Sequence, residues 1–242
     1  MRLLMIDLDN SLIDRDAAFR DAAGELLAAH GLPAGELAWV MAADGGGFTP
    51  RGTVAAALTG RFPGVPPSAI RRLLDDGGAD RVVLAPEVAA GLRRLTGWTV
   101  VIVTNGRAVQ QRAKIVNTGL DRLVDGWVIS EEAGHRKPGA EIFQAAAAIV
   151  GMSLAGAWMI GDSARADIAG AAALGLTSVW IANGRRWCEP GLRPTHVAGD
   201  IVAALNLIPA DQDGPAGREH PTGGERAQPA KTHPAGRDHP AN

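Results

Sequence analysis

Two carboxylates separated by one residue, Asp7 and Asp9, follow a short apolar run at the beginning of the chain. Burying two such carboxylates in an apolar segment is costly unless their charge is compensated. Mg²⁺ is a suitable cation, because it prefers oxygen ligands and phosphate oxygens can complete its shell. One carboxylate could then attack phosphorus, while the other protonates the leaving oxygen and later activates water. Taken alone, the pair is equally compatible with two solvated acids at a strand end.

Two further acids, Asp162 and Asp167, follow another short apolar run that ends at Gly161. If the two runs are strands of one parallel sheet, acids at their ends converge at the same edge of that sheet. Acids that meet without a cation repel each other strongly, and a bound Mg²⁺ removes this conflict. The second pair therefore favours a metal site that includes Asp7 and Asp9.

A hydroxyl residue and a lysine supply groups that suit a phosphate. Thr104 and Asn105 follow the apolar run that ends at Val103, where a hydroxyl and free backbone N–H groups can bind phosphate oxygens. Lys137 precedes Pro138 after another apolar run and could neutralise phosphate charge beside the nucleophilic carboxylate. Each signal is weak alone, since turn threonines and surface lysines are common.

Short apolar runs rich in valine, isoleucine or tryptophan recur along the chain and alternate with helical patterns. They predict five buried strands, at residues 3–6, 98–103, 127–129, 157–160 and 178–181. Continuous apolar runs favour a parallel sheet that is covered on both faces. We therefore expect an α/β fold, a doubly wound (Rossmann-like) parallel sheet of about five strands.

The segment between the first two predicted strands, residues 14–85, has helical patterns separated by glycine and proline and no convincing strand. We expect it to be a helical cap inserted after strand 1, over a catalytic core formed by residues 1–13 and 86–208. Residues 209–242 are rich in proline, glycine and histidine and contain no aliphatic side chain beyond alanine. Because this composition cannot bury apolar surface, it predicts a disordered tail.

Bulk composition excludes several classes of protein. The formal net charge of -2 gives no reason to expect a nucleic-acid polymer or an acidic membrane as partner. The single cysteine, Cys188, excludes an intramolecular disulfide framework. No window reaches the roughly 18 uninterrupted apolar residues of a membrane span, and the first apolar run is too short for a signal peptide. We expect a cytoplasmic protein, as a monomer or homodimer.

Four short motifs, taken in order, resemble those of the haloacid dehalogenase-like (HAD) hydrolase superfamily. They are Asp7-Leu8-Asp9-Asn10-Ser11, Val103-Thr104-Asn105-Gly106, Arg136-Lys137-Pro138, and Gly161-Asp162-Ser163 with Asp167. The order, the spacing and the strand-end context match over roughly residues 1–207. The helical insertion resembles the cap of the C1-capped subgroup, which includes phosphoglycolate phosphatase-like and nucleotidase-like members. Where that family usually has threonine two residues after the second aspartate, this chain has Ser11, which keeps the hydroxyl.

The resemblance implies a role for each matched residue. Asp7 would form an aspartyl-phosphate and bind Mg²⁺, and Asp9 would be the general acid and base and bind Mg²⁺ through its backbone carbonyl. Thr104 and the backbone amide of Asn105 would hold the phosphoryl group. Lys137 would stabilise both the phosphoryl group and Asp7.

The resemblance also implies that Asp162 is a metal ligand and that Asp167 is an outer-shell or second acidic partner. Asp9 favours phosphate chemistry, because the family's dehalogenases lack this second acid. Relatives that cleave phosphonates use a cap lysine, and residues 14–85 contain no lysine. The implied function is that of a Mg²⁺-dependent phosphatase acting on a small phosphorylated metabolite, for which nucleotides, sugar phosphates and phosphoglycolate are the candidate classes.

Two alternatives stay open on the same scaffold, a sugar-phosphate mutase and a non-catalytic phosphate-binding module. The mutase would use the same two acids, whereas the module would lose some acids or the lysine, all of which are present. Substrate choice should come from the cap, where Arg20, Arg51 and Arg61 are candidates, because arginine binds anionic groups through paired hydrogen bonds. For each arginine, a solvated surface position is the alternative interpretation.

Overall fold

A computed structural model describes residues 1–209 of the 242-residue chain. Six strands form its central sheet: Arg2–Ile6 (β1), Trp98–Thr104 (β2), Gly126–Ile129 (β3), Trp158–Gly161 (β4), Thr177–Ile181 (β5) and His196–Ala198 (β6). All neighbouring strands pair in parallel, in the order β3-β2-β1-β4-β5-β6. The predicted tail, apart from Pro209, lies outside the described residues.

This sheet confirms the predicted doubly wound α/β fold but has six strands where about five were expected. The five predicted runs lie at β1 to β5, and β6 was missed. β6 has three residues, of which only Ala198 is buried, so it contains no apolar run. As the edge strand it pairs only with β5, opposite residues Val179 to Ile181. An edge strand needs little buried apolar surface, so it is not detected as an apolar run in the sequence.

Helices surround the sheet and form the segment between β1 and β2. The α-helices of the described residues are Arg15–Ala29 (α1), Leu37–Asp44 (α2), Arg51–Arg61 (α3), Pro67–Asp76 (α4), Pro86–Arg93 (α5), Ala108–Asn117 (α6), Ser130–Ala133 (α7), Ala140–Ala148 (α8), Ala169–Ala173 (α9) and Ile201–Asn206 (α10). Short 3₁₀ turns lie at Ala34–Glu36, Gly45–Gly47 and Leu120–Arg122, and a π-helical turn lies at Ala164–Ile168. None of these helices has the length and hydropathy of a membrane span.

β1 lies at the centre of the sheet and buries both of its faces. Side chains alternate along a strand, so Leu4 and Ile6 join one apolar cluster, with α5, α6 and α10, whereas Leu3 and Met5 join another, with α8 and α9. This two-sided burial explains why the strand reads as an unbroken apolar run. The sheet order reverses between β1 and β4, which is the place where doubly wound folds bind their ligands.

The helical segment between β1 and β2 has an apolar cluster of its own. α1 begins after Asp14, whose carboxylate accepts a hydrogen bond from the backbone N–H of Ala17 at 2.8 Å. It buries Phe19 against Leu58 of α3 and Leu74 of α4. These helices can therefore exclude water from a shared interior without help from the sheet.

The expected division into domains stays a prediction. The helices α1 to α4 fall within residues 14–85, the predicted cap, and the structure contains no strand there. The strands and the remaining helices fall within the predicted core, residues 1–13 and 86–208. The separate apolar cluster of the helical segment supports this boundary.

Candidate active site

Lys137 lies between two of the predicted acids, at the carboxyl edge of the sheet. Asp7 follows β1 directly, and its Oδ1 accepts a hydrogen bond from Nζ of Lys137 at 2.6 Å. The other oxygen of Asp7 accepts from the hydroxyl of Ser11 at 3.2 Å. Lys137 also donates to the carbonyl of Val103 at 2.6 Å and forms an ion pair with Asp167 at 2.7 Å. The lysine is 3% exposed, so these partners replace its water.

The loop that carries Lys137 is tied to the end of β2. The side-chain amide of Asn105 donates to the carbonyl of Lys137 at 3.0 Å, and its oxygen accepts from the Lys137 N–H at 2.9 Å. Thr104, the last residue of β2, is buried beside this loop. Asn105 therefore positions the lysine with its side chain, in addition to the backbone role that the motif implies.

Three of the predicted metal ligands form one cluster. Asp7, Asp162 and Asp167 each offer a carboxylate oxygen, and these oxygens lie within 4.8 Å of one another. Asp162 follows β4 and accepts a hydrogen bond from Arg185 at 3.1 Å. Asp167 accepts from the backbone N–H of Ser163 at 3.0 Å. A set of negatively charged oxygen donors fits a hard divalent cation such as Mg²⁺. The carboxylate of Asp9 lies outside this cluster, in line with a role through its backbone.

The electrostatics of the cluster show a shortage of positive charge. Burial raises the pKa of Asp7 to about 7, against the lowering effect of Lys137 and with the support of Asp167 and Asp9. Burial, together with the charges of Asp7 and Asp167, also raises the pKa of Asp162 to about 8. Burial lowers the pKa of Lys137, but the two carboxylates outweigh it and hold the pKa above its usual value. A divalent cation would compensate the remaining negative charge.

Asp9 has a different set of partners. Nζ of Lys114 lies 2.7 and 2.8 Å from its two carboxylate oxygens. The amide of Gln111 donates to Asp9 at 3.0 Å and to the hydroxyl of Thr104 at 2.6 Å. Burial raises the pKa of Asp9, but Lys114 and Gln111 lower it more strongly, so it lies below its usual value. Neither Gln111 nor Lys114 was predicted from the sequence, although their spacing with Ile115 along α6 places all three on one face of the helix.

A cavity of about 890 Å³ lies between these groups and the helical segment. Arg15 and Arg51 line it from the helical side. Arg15 is buried in an ion pair with Asp44, at 2.8 Å from Nη2 to Oδ1. Arg51 is only half-buried, and it donates to the partly exposed Asp75 at 3.2 Å and to the neutral side chain of Gln110. Arg51 is therefore the more available of the two for a ligand.

The three candidate cap arginines occupy different surroundings. Arg51 lines the cavity, whereas Arg20 and Arg61 are not among its lining residues in the described part of the chain. Arg20 is exposed on α1, and Arg61 pairs with Glu36 through two hydrogen bonds of 3.0 Å. A role in substrate binding stays a prediction for each, and the placement favours Arg51.

The parallel sheet, with an acidic cluster and a buried lysine at its carboxyl edge, defines a doubly wound α/β protein with a candidate metal site. Comparison with known proteins identifies its family. The family model described as haloacid dehalogenase-like hydrolase matches residues 1–175, which is more than half of the chain. The chain belongs to the haloacid dehalogenase-like hydrolase family, and the resemblance drawn from the motifs is confirmed.

Individual relatives match different shares of the chain. It is 34% identical over 123 residues to the phosphoserine phosphatase of Thermus thermophilus, covering 50% of this chain and 49% of that one, so it spans about half of that relative's length. It is 28% identical over 214 residues to a plasmid-encoded phosphoglycolate phosphatase of Cupriavidus necator. That match covers 86% of this chain and 91% of the relative. The structure of the HAD-hydrolase YfnB from Bacillus subtilis, bound to magnesium, matches with a TM-score of 0.71 at 24% identity. The match covers 85% of this chain and 97% of YfnB. This structural likeness shows the fold.

Substitution of Gly161 tests how closely the acidic cluster is packed. A Cβ added at Gly161 would overlap the carboxylate of Asp167. We expect Gly161→Ala to displace Asp167 from Lys137 and to weaken Mg²⁺ binding by about 10- to 100-fold, the usual cost of losing a supporting residue at a metal site. Isothermal titration with Mg²⁺ measures the effect. Gly60→Ala on α3 is the matched control, because an added Cβ there meets open space; equal affinities in the two variants would contradict the prediction.

The raised pKa values of Asp7 and Asp162 predict a pH-dependent effect of Mg²⁺ on stability. Because both pKa values are higher in the folded than in the unfolded protein, ionisation should lower stability as pH rises from about 4 to about 8. Mg²⁺ must compete with protons at low pH, so its stabilising effect should grow with pH. Thermal unfolding should show a Mg²⁺-induced rise in Tm of several degrees at pH 8 and little at pH 5. Asp162→Asn should reduce that rise, and a Mg²⁺ effect independent of pH would count against the site.

Proposed function

We propose that this chain is a Mg²⁺-dependent phosphatase that hydrolyses a small phosphomonoester through an aspartyl-phosphate on Asp7. The position of Lys137 between Asp7 and Asp167, beside the carboxylate cluster that includes Asp162, supports this proposal. A carboxylate that could attack phosphorus, an ammonium group and oxygens that could bind a metal lie around one point. The names of the two relatives, a phosphoserine phosphatase and a phosphoglycolate phosphatase, support the reaction class.

The first half-reaction transfers the phosphoryl group to the protein. Thr104 and the backbone N–H of Asn105 hold the phosphoryl oxygens, and Lys137 balances their charge. An oxygen of Asp7 attacks phosphorus while the bond to the leaving oxygen breaks. The negative charge of the bound phosphate would raise the pKa of Asp9, which lies below its usual value in the free site, and so favour its protonated form. Asp9 then gives its proton to the leaving oxygen, so the product leaves as a neutral alcohol.

The second half-reaction releases phosphate. The carboxylate of Asp9 takes a proton from a water molecule, and the resulting hydroxide attacks phosphorus of the aspartyl-phosphate. The bond between Asp7 and phosphorus breaks, inorganic phosphate leaves, and both acids return to their starting states. Mg²⁺, held by Asp7, the carbonyl of Asp9 and Asp162 with Asp167 beside them, would neutralise charge on the carboxylates and the phosphoryl oxygens.

The substrate we propose is a small phosphorylated metabolite of the cytoplasm. The cavity of about 890 Å³ falls within the range of small-molecule sites. Arg51 reaches the cavity from the helical segment and is the cap residue we favour for contacting the part of the substrate beyond the phosphate, with Arg20 as the weaker candidate. Asp9 supports phosphate over carbon–halogen chemistry, because halide needs no proton to leave. A monomer or homodimer would suffice, since all the proposed groups come from one chain.

Asp7→Asn tests the nucleophile. Replacing the attacking oxygen with an amide should lower phosphate release from an aryl phosphate in Mg²⁺ by about 10³-fold or more, because the covalent step is lost. Asp76→Asn on α4 removes an exposed carboxylate away from the cavity and should leave the rate unchanged. Circular dichroism should show the same fold in both variants. Activity that survives Asp7→Asn, or that persists in excess chelator, would contradict the mechanism.

A further inference from the structure

Lys114 is a buried lysine that the proposed reaction does not yet use. It comes from α6, is 1% exposed, and reaches the edge of the sheet, where its Nζ contacts both oxygens of Asp9. A lysine is rarely buried to this extent unless a carboxylate compensates its charge. The neighbouring charges of Arg15 and Arg51 disfavour a further cation, so Asp9 is the group that stabilises Lys114 there.

Gln111 lies one helical turn before Lys114 and links two parts of the site. Its amide nitrogen donates to Asp9 at 3.0 Å and to the Thr104 hydroxyl at 2.6 Å. Gly106 packs against it so closely that an added Cβ would lie 2.9 Å from Cγ and Cδ of Gln111. The glutamine is thus held between the loop after β2 and the helix, and it connects Asp9 with the residue proposed to hold phosphate.

We propose that Lys114 and Gln111 are positioning residues that orient the carboxylate of Asp9 for proton transfer to the leaving oxygen and from water. The three hydrogen bonds reach both carboxylate oxygens of Asp9, so they restrain rotation of the side chain. When one oxygen of Asp9 carries the proton for the leaving group, the other can keep its bond to Lys114, and Lys114 loses no proton in either step. This inference rests on the proposed phosphatase reaction.

The dependence on leaving group separates this role from a structural one. Phenyl phosphate needs a proton on its leaving oxygen, whereas p-nitrophenyl phosphate of similar size releases a stable anion. Misplaced proton donors cost about 10²-fold in rate. Lys114→Met should therefore lower kcat on phenyl phosphate by about 10²-fold and on p-nitrophenyl phosphate by less than about 3-fold, with KM within about 2-fold for both, because the phosphate-binding groups are intact.

Further variants provide the references against which Lys114→Met is compared. Asp9→Asn should show the same selectivity, and adding Lys114→Met to it should cause no further loss, since both changes remove one function. Arg112→Met removes a cation from the exposed side of α6, where it pairs with Glu132, and should leave both rates unchanged. Lys114→Gln, which keeps a polar group, provides the same kinetic test if Lys114→Met does not fold.

A measurement without substrate separates failure of the inference from failure of the proposed function. Lys114→Met should lower Tm by several degrees in the wild-type background, because the Asp9 carboxylate loses its ion-pair partner, and by much less in the Asp9→Asn background. Additive Tm changes would overturn the pairing whether or not the protein is a phosphatase. Equal losses on both aryl phosphates, or an unchanged or increased rate, would overturn the positioning role. Inactivity of the wild type on both esters would reject the phosphatase proposal, and with it the catalytic role of Lys114.

Discussion

The ammonium group of Lys137 lies between Asp7 and Asp167, and the site depends on this arrangement. Two buried carboxylates would repel each other, and each would be costly to desolvate. The lysine is itself desolvated, but contact with both acids keeps it charged. Asn105 holds the backbone of Lys137, so the end of β2 determines where the ammonium lies. Removal of this one cation would leave a group of acids that the protein could not retain in ionised form without metal.

The parallel sheet makes the arrangement achievable. Its register aligns Ile6 of β1 with Ile102 of β2 and Ile160 of β4, so the chain leaves all three strands close together. Residues that lie more than 150 positions apart, such as Asp7 and Asp162, meet because parallel strands share a carboxyl edge. Apolar packing on both faces of β1 holds that edge rigid. The packing of the core thus fixes the relative positions of the side chains at the site.

Asp7 and Asp9 are two residues apart, yet their surroundings give them opposite properties. Burial beside Asp167 raises the pKa of Asp7 to about 7, whereas Lys114 and Gln111 outweigh burial at Asp9 and hold its pKa below its usual value. Each acid has a lysine of its own, from a different element of the fold. The two acids are thus divided electrostatically, and a cation bound beside Asp7 would lower its pKa and favour the ionised form that attack on phosphorus requires. In this protein the division depends on α6 as much as on the motif itself.

The sequence alone determined the fold class, because unbroken apolar runs at β1 to β5 are the direct signature of a sheet covered on both faces. It also predicted that Asp7, Thr104 and Asp162 lie at strand ends, and the structure brings them to one edge of the sheet. Asp167 and Lys137 reach the same edge from segments that follow β4 and β3. The sequence did not reveal β6, whose edge position requires only one buried residue. Nor did it reveal Gln111 and Lys114, because in sequence they are ordinary polar residues of a helix. Only tertiary structure decided that the face of α6 that carries them points at Asp9, since the partner that makes their burial favourable lies about a hundred residues away in the chain.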